Sequence, residues 1–417
     1  MRMILLTLIF CMAALHPAAG TAIRYTGADD PRLCGTMMPY PAVDPALSAY
    51  PDSLTPVCIT HLGRHGARFL SSEKKVGKLE KMLLRADSLG TLTRRGADAL
   101  AMIARIRDYT RGRWGALDSL GIAEQAAIAA RMYDNYPGLF RGYVSGIATY
   151  VPRAVMSMYS FIHALTERQK DMESYAAEGR RFDPLLRFFT TDRAYVAYLD
   201  SGAWRTLERE YDRITLPTAP ARRLLGDRYP ASDGQLREAT AALYGIVSSL
   251  PAAGQQPEAS SYFSAAEMEA CWRVANADHW LKRTASLPSS PAARAAIPLL
   301  RQMIEQTDSA LAMQTPVRVT LRFAHAETIM PLLSLMRLPG CDYSGDSPAE
   351  VAGKWHDWHV APLAANIQIV CFRAPSGEIY ARVSLNETPV PALPGDRRLI
   401  IPWSRLRAHL LREISAL

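Results

Sequence analysis

Apolar and polar positions change their period several times along the chain. Met1-Arg2-Met3 is followed by an apolar run from Ile4 to Leu15, then by Pro17, Ala18, Ala19 and Gly20. A short basic start, a short apolar core and small residues after it make residues 1–20 a secretory signal peptide, cut near Gly20 or Ala22. The run is too short for an ordinary membrane span. Phe10 before Cys11 fits a lipidation site poorly. No later stretch is long and apolar enough to cross a bilayer, so the protein is expected to be exported, periplasmic or secreted, with association at the cell surface left open. Residues 23–55 are rich in Pro, Gly, Asp and Tyr and read as loop and turn.

Pro56-Val57-Cys58-Ile59 reads as a short buried strand. The period then becomes helical. Val76, Leu79, Met82 and Leu83 share one face of a helix reaching Leu89. Ala97 to Tyr109 is a second helix with Thr93 as a cap. Ile122 to Tyr136 is a third, closed by Pro137-Gly138. A fourth starts at Pro152, which suits the first helical turn, and runs to about Gln169. The stretch 175–310 is rich in Ala, Leu, Arg and Tyr and is interrupted by prolines. Helices are expected there at Tyr195 to Ile214, Asp233 to Leu250, Ala265 to Ala277 and Ala292 to Met313. After Pro316 strand and helix alternate again: Val317 to Phe323 as strand, Thr328 to Met336 as helix, a loop-rich stretch from Leu338 to Asp357, then two strands, Asn366 to Arg373 and Glu378 to Leu385, joined across Pro375-Ser376-Gly377. This order predicts an α/β fold. Its two halves, 21–120 and 311–417, enclose a large, mostly helical inserted domain, 121–310, that contributes to a substrate cleft.

The 417 residues are 49% apolar and 21% charged, enough for one large core with a substantial insertion. Beyond the signal lie Cys34, Cys58, Cys271, Cys341 and Cys371. An odd number cannot all pair within one chain. Cys58 and Cys371 sit in strand-like runs and read as buried thiols; Cys34 could pair with Cys271 or Cys341, so one disulfide or none is expected. The formal charge is +8, one less once Arg2 leaves with the signal. A basic exported chain suits nucleic acid, an anionic surface or a polyanionic small molecule. There is no nucleic-acid-binding motif and no long Lys/Arg block. The sequence sets no oligomeric state.

The chemistry concentrates in two strand ends. Thr60 to Leu70 packs Arg64, His65 and Arg68 into five residues beside Gly63 and Gly66. Arginines bind and polarise phosphoryl oxygens, and a neutral imidazole among them can attack phosphorus. Far along the chain, Arg322-Phe323-Ala324-His325-Ala326-Glu327 ends the strand after Pro316 and opens a helix. Arg153 lies in the first turn of the Pro152 helix, where unpaired N–H groups favour an anion.

Arg64-His65-Gly66-Ala67-Arg68 resembles the RHGxRx(P) signature of the histidine acid phosphatases, with Leu70 where many members have proline. His325-Ala326-Glu327 resembles the HAE motif that multiple inositol polyphosphate phosphatases carry in place of the commoner HD. Arg153 and Ser157 match a third arginine and the serine four residues after it. Gly35 to Tyr40 is similar to a GTKTxY-like stretch of the family, with Met37 and Met38 replacing its lysine-containing centre. Leu92 to Gly96 resembles its LTxxG segment. Pro184 to Phe189, Pro362-Leu363-Ala364-Ala365-Asn366 and Val383-Ser384-Leu385-Asn386-Glu387 are similar to family sequence as well. The resemblance runs, with gaps, from about Gly35 to Glu387 and is weakest in the middle.

It implies the phosphoglycerate-mutase-like α/β sheet domain of the histidine phosphatases and a two-step hydrolysis of phosphomonoesters, inositol polyphosphates such as phytate first. His65 is then the nucleophile that forms a phosphohistidine, and Glu327, protonated, the acid for the leaving oxygen. The residues themselves supply the charge logic: Arg64, Arg68, Arg153 and His325 hold the phosphoryl oxygens, and a phosphate beside His325 favours its protonated form. An acidic optimum follows. The scheme uses no metal or cofactor. His61 and His65 are four apart, but Gly63 and Gly66 argue against the helix a zinc pair needs, and no HExxH occurs. His356 and His359, next to Trp355 and Trp358, read as surface or capping residues. Asn386-Glu387-Thr388 is a glycosylation sequon in form alone. Three other readings stand beside this one: a broad-specificity acid phosphatase, a polyanion binder without chemistry, and a mutase or phosphotransferase, which export disfavours.

Overall fold

The computed structural model describes residues 23–417; the expected signal peptide, with Cys11, lies outside the described residues. The strand that leads into His65 is β1, Thr55–Arg64, longer than its apolar opening suggests. Its second half buries polar residues that have partners within the fold. Thr60 Oγ1 lies 2.9 Å from Thr307 Oγ1, and the His61 ring lies between Phe161 and Phe323, with centroids 5.3 and 5.5 Å away. The remaining strands are β2 (Tyr143–Ala148), β3 (Glu173–Glu178), β4 (Val317–Ala324), β5 (Asn366–Arg373), β6 (Ile379–Leu385), β7 (Thr388–Val390) and β8 (Ile400–Pro402). They form one sheet in the order β3-β2-β4-β1-β5-β6-β7, with β8 against β6. β1, β2, β3 and β4 pair in parallel; β5 to β8 add on antiparallel.

Side chains alternate across the sheet. One face, with Ile59, Val319, Leu321, Phe323, Val370 and Phe372, packs on α3 (Ser119–Asn135) and α4 (Pro152–Arg168) through Ile128, Met132, Phe161 and Leu165. The other, with Cys58, Leu62, Ile367, Ile369 and Cys371, packs on the helices Ile297–Leu311, Ala326–Leu335 and Trp403–Ser415. A third apolar cluster is helical. It joins α1 (Glu73–Ser88) and α2 (Arg94–Thr110) to the helices Asp233–Val247 and Ala265–Arg283. Thr93 caps α2 as expected, its Oγ1 accepting from Gly96 N at 3.1 Å.

The α/β architecture stands, but the expected boundaries do not coincide with these cores. β2 and β3 belong to the sheet although they fall inside 121–310. They were not apparent because their exposed Tyr143 and Tyr175 blur the alternation. α1 and α2, expected in the sheet domain, bury their apolar faces against 219–272. The expected helix Tyr195–Ile214 is two, Arg193–Ser201 and Trp204–Thr215, parted at Gly202. There a Cβ would stand 2.5 Å from the Tyr198 carbonyl oxygen. Ala292–Met313 likewise divides near Ala296. The helix from Ala265 runs on to Arg283, six residues beyond its expected end. All five described cysteines are free and buried; Cys58 and Cys371 are cross-strand neighbours.

The segments Pro362–Asn366 and Ser384–Glu387 meet in one buried network. Arg131 donates to both Glu387 carboxylate oxygens at 2.9 and 2.7 Å, Tyr40 Oη to Oε2 at 2.9 Å, and Asn366 Nδ2 to Tyr40 Oη at 2.9 Å. Asn366 N donates to Asn386 Oδ1. Ala364, Asn386 and Glu387 hold positive φ, a conformation costly for side-chain-bearing residues unless the surroundings impose it. Glu387→Ala leaves Arg131 and Tyr40 without their acceptor and is expected to cost roughly 3–5 kcal/mol. Urea unfolding measures this; an unchanged midpoint would show the network to be incidental.

Candidate active site

Because β1 and β4 are parallel and in register at Arg64 and Ala324, both motifs leave the same edge of the sheet together. His65 N donates to the Ala324 carbonyl at 3.1 Å, and the His65 and His325 rings meet edge to face at 5.6 Å. Ligands of open parallel sheets bind at this carboxyl end. β2, on the other side of β4, delivers α4 and with it Arg153 to the same edge. Ser157, one turn later, takes the Gly66 N–H at 3.1 Å and donates to the Arg153 carbonyl at 2.8 Å. The spacing of Arg153 and Ser157 is therefore what ties α4 to the RHG loop.

The loop is held from three further sides. Gln125 Nε2 donates to the Arg64 carbonyl. The buried Glu124 carboxylate accepts from Ala67 N at 2.7 Å and Tyr40 N at 2.8 Å. Ala364 N donates to the His65 carbonyl. Gly66 serves packing here: a Cβ would stand 2.4 Å from the Gly121 carbonyl oxygen at the start of α3. Glu124 and Gln125 gave no signal in the sequence, since such residues on a helix are ordinarily solvated.

His65 is 3% exposed. Its Nδ1 lies 2.9 Å from the Gly66 carbonyl oxygen. A carbonyl only accepts, so Nδ1 carries the proton and Nε2 keeps its lone pair. Burial, then Arg64, Arg153, His325 and Arg68, push the imidazole well below its ordinary range, so it is neutral. Arg64 Nη1 donates to the Thr36 and Ala361 carbonyls. Arg68 Nη1 donates to the Phe69 carbonyl, and its Nη2 lies 3.6 Å from Met37 Sδ. Met37, one of the two methionines of the Gly35–Tyr40 stretch, thus packs on Arg68. The Nε atoms of Arg64, Arg68 and Arg153 are buried without a protein partner. Burial and mutual repulsion lower Arg64 to about 10 and Arg68 to about 9. A phosphate dianion relieves that repulsion.

His325 caps the helix Ala326–Leu335, and its Nε2 lies 3.3 Å from Thr149 Oγ1. Glu327 sits in the first turn. The charge states differ from those expected. Burial, with Arg153, Arg187 and Arg64, outweighs Glu327 and lowers His325 to about 3. Burial pushes Glu327 up, but Arg283, His325, its own N–H and Arg64 bring it down to about 2. Without substrate the pair is neutral imidazole and carboxylate. Arg283 is the cation that the early helix end hid. Asp357, at the end of the loop-rich stretch from Leu338, is committed elsewhere: it accepts from Trp272 Nε1 at 3.0 Å and lies 2.9 Å from His279 Nδ1. His356 stacks on Trp272 and His61 lies in the sheet; neither reaches the site. Among the described residues no group of three His, Cys, Asp or Glu is placed to hold a metal, and no helix is long and apolar enough to cross a membrane.

No protein-family model matches the chain. Solved structures do share its fold. The multiple inositol polyphosphate phosphatase of Bifidobacterium longum, crystallised with inositol hexasulfate, aligns with a TM-score of 0.78 at 17% identity, over 92% of this chain and 98% of that one. The phytase of D. castellii aligns with a TM-score of 0.64 at 16% identity, over 92% and 85%. The Klebsiella sp. ASR1 phytase gives 0.58 at 15%, over 87% and 96%. The α/β sheet with its helical additions is the fold of these phosphatases.

Proposed function

We propose that the chain is a phosphomonoester hydrolase of inositol polyphosphates, phytate among them, that works through a phosphohistidine on His65. The observation that carries this reading is the convergence at one sheet edge of a neutral imidazole, with its Nε2 lone pair kept, and of Arg64, Arg68, Arg153 and His325 around it. The three solved neighbours are an inositol polyphosphate phosphatase and two phytases, and the first was crystallised with inositol hexasulfate; these names support the substrate class.

In the first step the Nε2–P bond forms as the ester P–O bond breaks in line. The arginines stabilise the charge that spreads over the phosphoryl oxygens. The leaving alkoxide takes a proton from Glu327. In the second step water attacks phosphorus, the Nε2–P bond breaks, and the water's proton returns to Glu327. The first step's proton need not reside on Glu327 in the empty site. A phosphate monoester has a second pKa of about 6, so the monoanion brings a proton that the Glu327 carboxylate can accept on binding. The substrate's negative charge also offsets the guanidinium groups that hold Glu327 low. Turnover should therefore fall as pH rises past about 6, where the ester arrives without its proton.

The test is to incubate the protein with phytate, following phosphate and the lower inositol phosphates, beside a panel of other monoesters. Stepwise release from phytate in preference to the panel is expected. A similar rate on every ester would favour a broad acid phosphatase, and no release from any of them would overturn hydrolysis. Export is proposed on the N-terminal sequence; recovery of the exported protein with Met1 through Leu15 still attached would refute cleavage.

A further inference from the structure

Two of the buried thiols stand opposite each other in the sheet. Cys58 on β1 pairs with Cys371 on the antiparallel β5. An irregularity in the register places them there. Pro56 faces Phe372 and Cys58 faces Cys371, so Val57 is an extra residue on β1. Without that extra residue Val57, not a thiol, would face Cys371. Both side chains enter the same apolar layer, where Cys58 is 2% and Cys371 0% exposed. Residues directly opposite in an antiparallel pair have Cα atoms about 4.5–5.5 Å apart, within the roughly 4.4–6.8 Å that a disulfide spans. The contact is direct: the Cys371 thiol is held well above its ordinary range, first by its hydrogen bond with the Cys58 thiol and then by burial. Burial is the first cause that raises Cys34, Cys271 and Cys341, and no second thiol acts on any of them.

The two strands bear on the candidate site. β1 leads into His65, and β5 begins just after Ala364 and Ala365. Ala364 N donates to the His65 carbonyl, and Arg64 N donates to the Ala365 carbonyl at 2.7 Å. A bond between Cys58 and Cys371 would fasten together the strands on both sides of the RHG loop. It would also close about 310 positions of chain, and long closed loops restrain the unfolded chain most. Burial sets when such a bond can form. The thiolate, not the thiol, exchanges with disulfides. In the folded sheet both sulfurs are shielded and Cys371 is held protonated. In the unfolded chain both are open to exchange.

We propose that Cys58 and Cys371 close into a cross-strand disulfide as the chain folds in an oxidising medium, and that the folded sheet then shields the bond. Such a medium is the one an exported protein meets; the hydrolase reading plays no part. With oxidised glutathione as the oxidant, one cysteine thiolate attacks a glutathione sulfur and releases one glutathione. The other thiolate attacks the cysteine sulfur of that mixed disulfide and releases the second. Two electrons pass from the cysteine pair to the glutathione disulfide, and the two thiol protons end on the released glutathiones. In the test, the mature chain is reduced, unfolded in urea and refolded with oxidised glutathione, and its thiols are then alkylated in urea. Of its five cysteines, three should be alkylated before reduction and all five after it. Mass spectrometry should recover the Cys58 and Cys371 peptides linked. The same oxidant added to protein already folded in the reduced form should leave all five thiols open to alkylation over the time in which refolding protein becomes linked. Reduced glutathione should reopen the bond at least about tenfold more slowly in the folded protein than in urea. Five alkylated cysteines after oxidative refolding, a different linked pair, or glutathione left on either residue would overturn the proposal. So would oxidation or reduction of the folded protein as fast as that of the unfolded chain.

Discussion

Replacing His65 by alanine is expected to lower turnover by at least about 10⁴-fold, because the nucleophile that forms the covalent intermediate is lost. The neutral ring, with Nδ1 bound to the Gly66 carbonyl, keeps its Nε2 lone pair beside Arg64, Arg68 and Arg153. The arginines are held by backbone partners of their own, Arg64 by the Thr36 and Ala361 carbonyls and Arg68 by that of Phe69. His65→Ala should therefore still fold and still bind inorganic phosphate. Rapid denaturation of the wild type during turnover, followed by peptide mass spectrometry under alkaline conditions, should find phosphate on His65. A folded variant with near-normal turnover, or a phosphoryl group on another residue, would remove His65 from this role. The measurement also separates enzyme from binder, since a polyanion-binding protein would lose neither turnover nor a phosphorylated intermediate.

The candidate site residues were legible because they come in short clusters at strand ends. Arg64, His65 and Arg68 are contiguous enough to read directly, and His325 and Glu327 follow an alternating apolar strand. Their meeting depends on the parallel pairing of β1 with β4 across about 260 positions of chain, which is the separation of Gly63 from its partner Phe323; the resemblance supplied that, not the spacing. Arg153 was placed correctly by Pro152. Its link to Gly66 through Ser157 could not be read, because a serine on a helix has no partner until the fold provides one. Arg283 and Arg187 were missed for different reasons. Arg283 lies beyond the point where the apolar pattern of its helix fades. Arg187 depends on Tyr150 and Phe189, which come from segments apart in sequence or in conformation. Packing overrode pattern at α1 and α2: their faces suit any apolar surface, and the one they found is helical.

Glu327→Gln is expected to lose about 10²–10⁴-fold in kcat/KM on phytate, and progressively less as the leaving group's own pKa falls. An inositol alkoxide leaves poorly and needs a proton as the P–O bond breaks, whereas p-nitrophenolate needs little help. The competing role for Glu327 is structural. It lies in the first turn of the helix Ala326–Leu335, where a carboxylate is favoured by the N-terminal N–H groups. Loss of that contribution would lower stability and reduce activity on all esters alike. The pH dependence separates the two further. In the free site Arg283, His325 and Arg64 overcome the effect of burial and keep Glu327 ionised down to about 2, so the fall of wild-type kcat/KM above about pH 6 follows the proton of the ester, not the titration of the carboxyl. A glutamine cannot accept that proton and pass it on. The variant should lose most where the wild type gains most, on poor leaving groups at acidic pH, and the two profiles should draw together for good leaving groups. Equal losses across a graded series, at matched pH and with folding checked, would take Glu327 out of the acid role. Asp357 could not replace it, since its carboxylate is bound by Trp272 and His279; the proton would then have to come from the ester itself or from water.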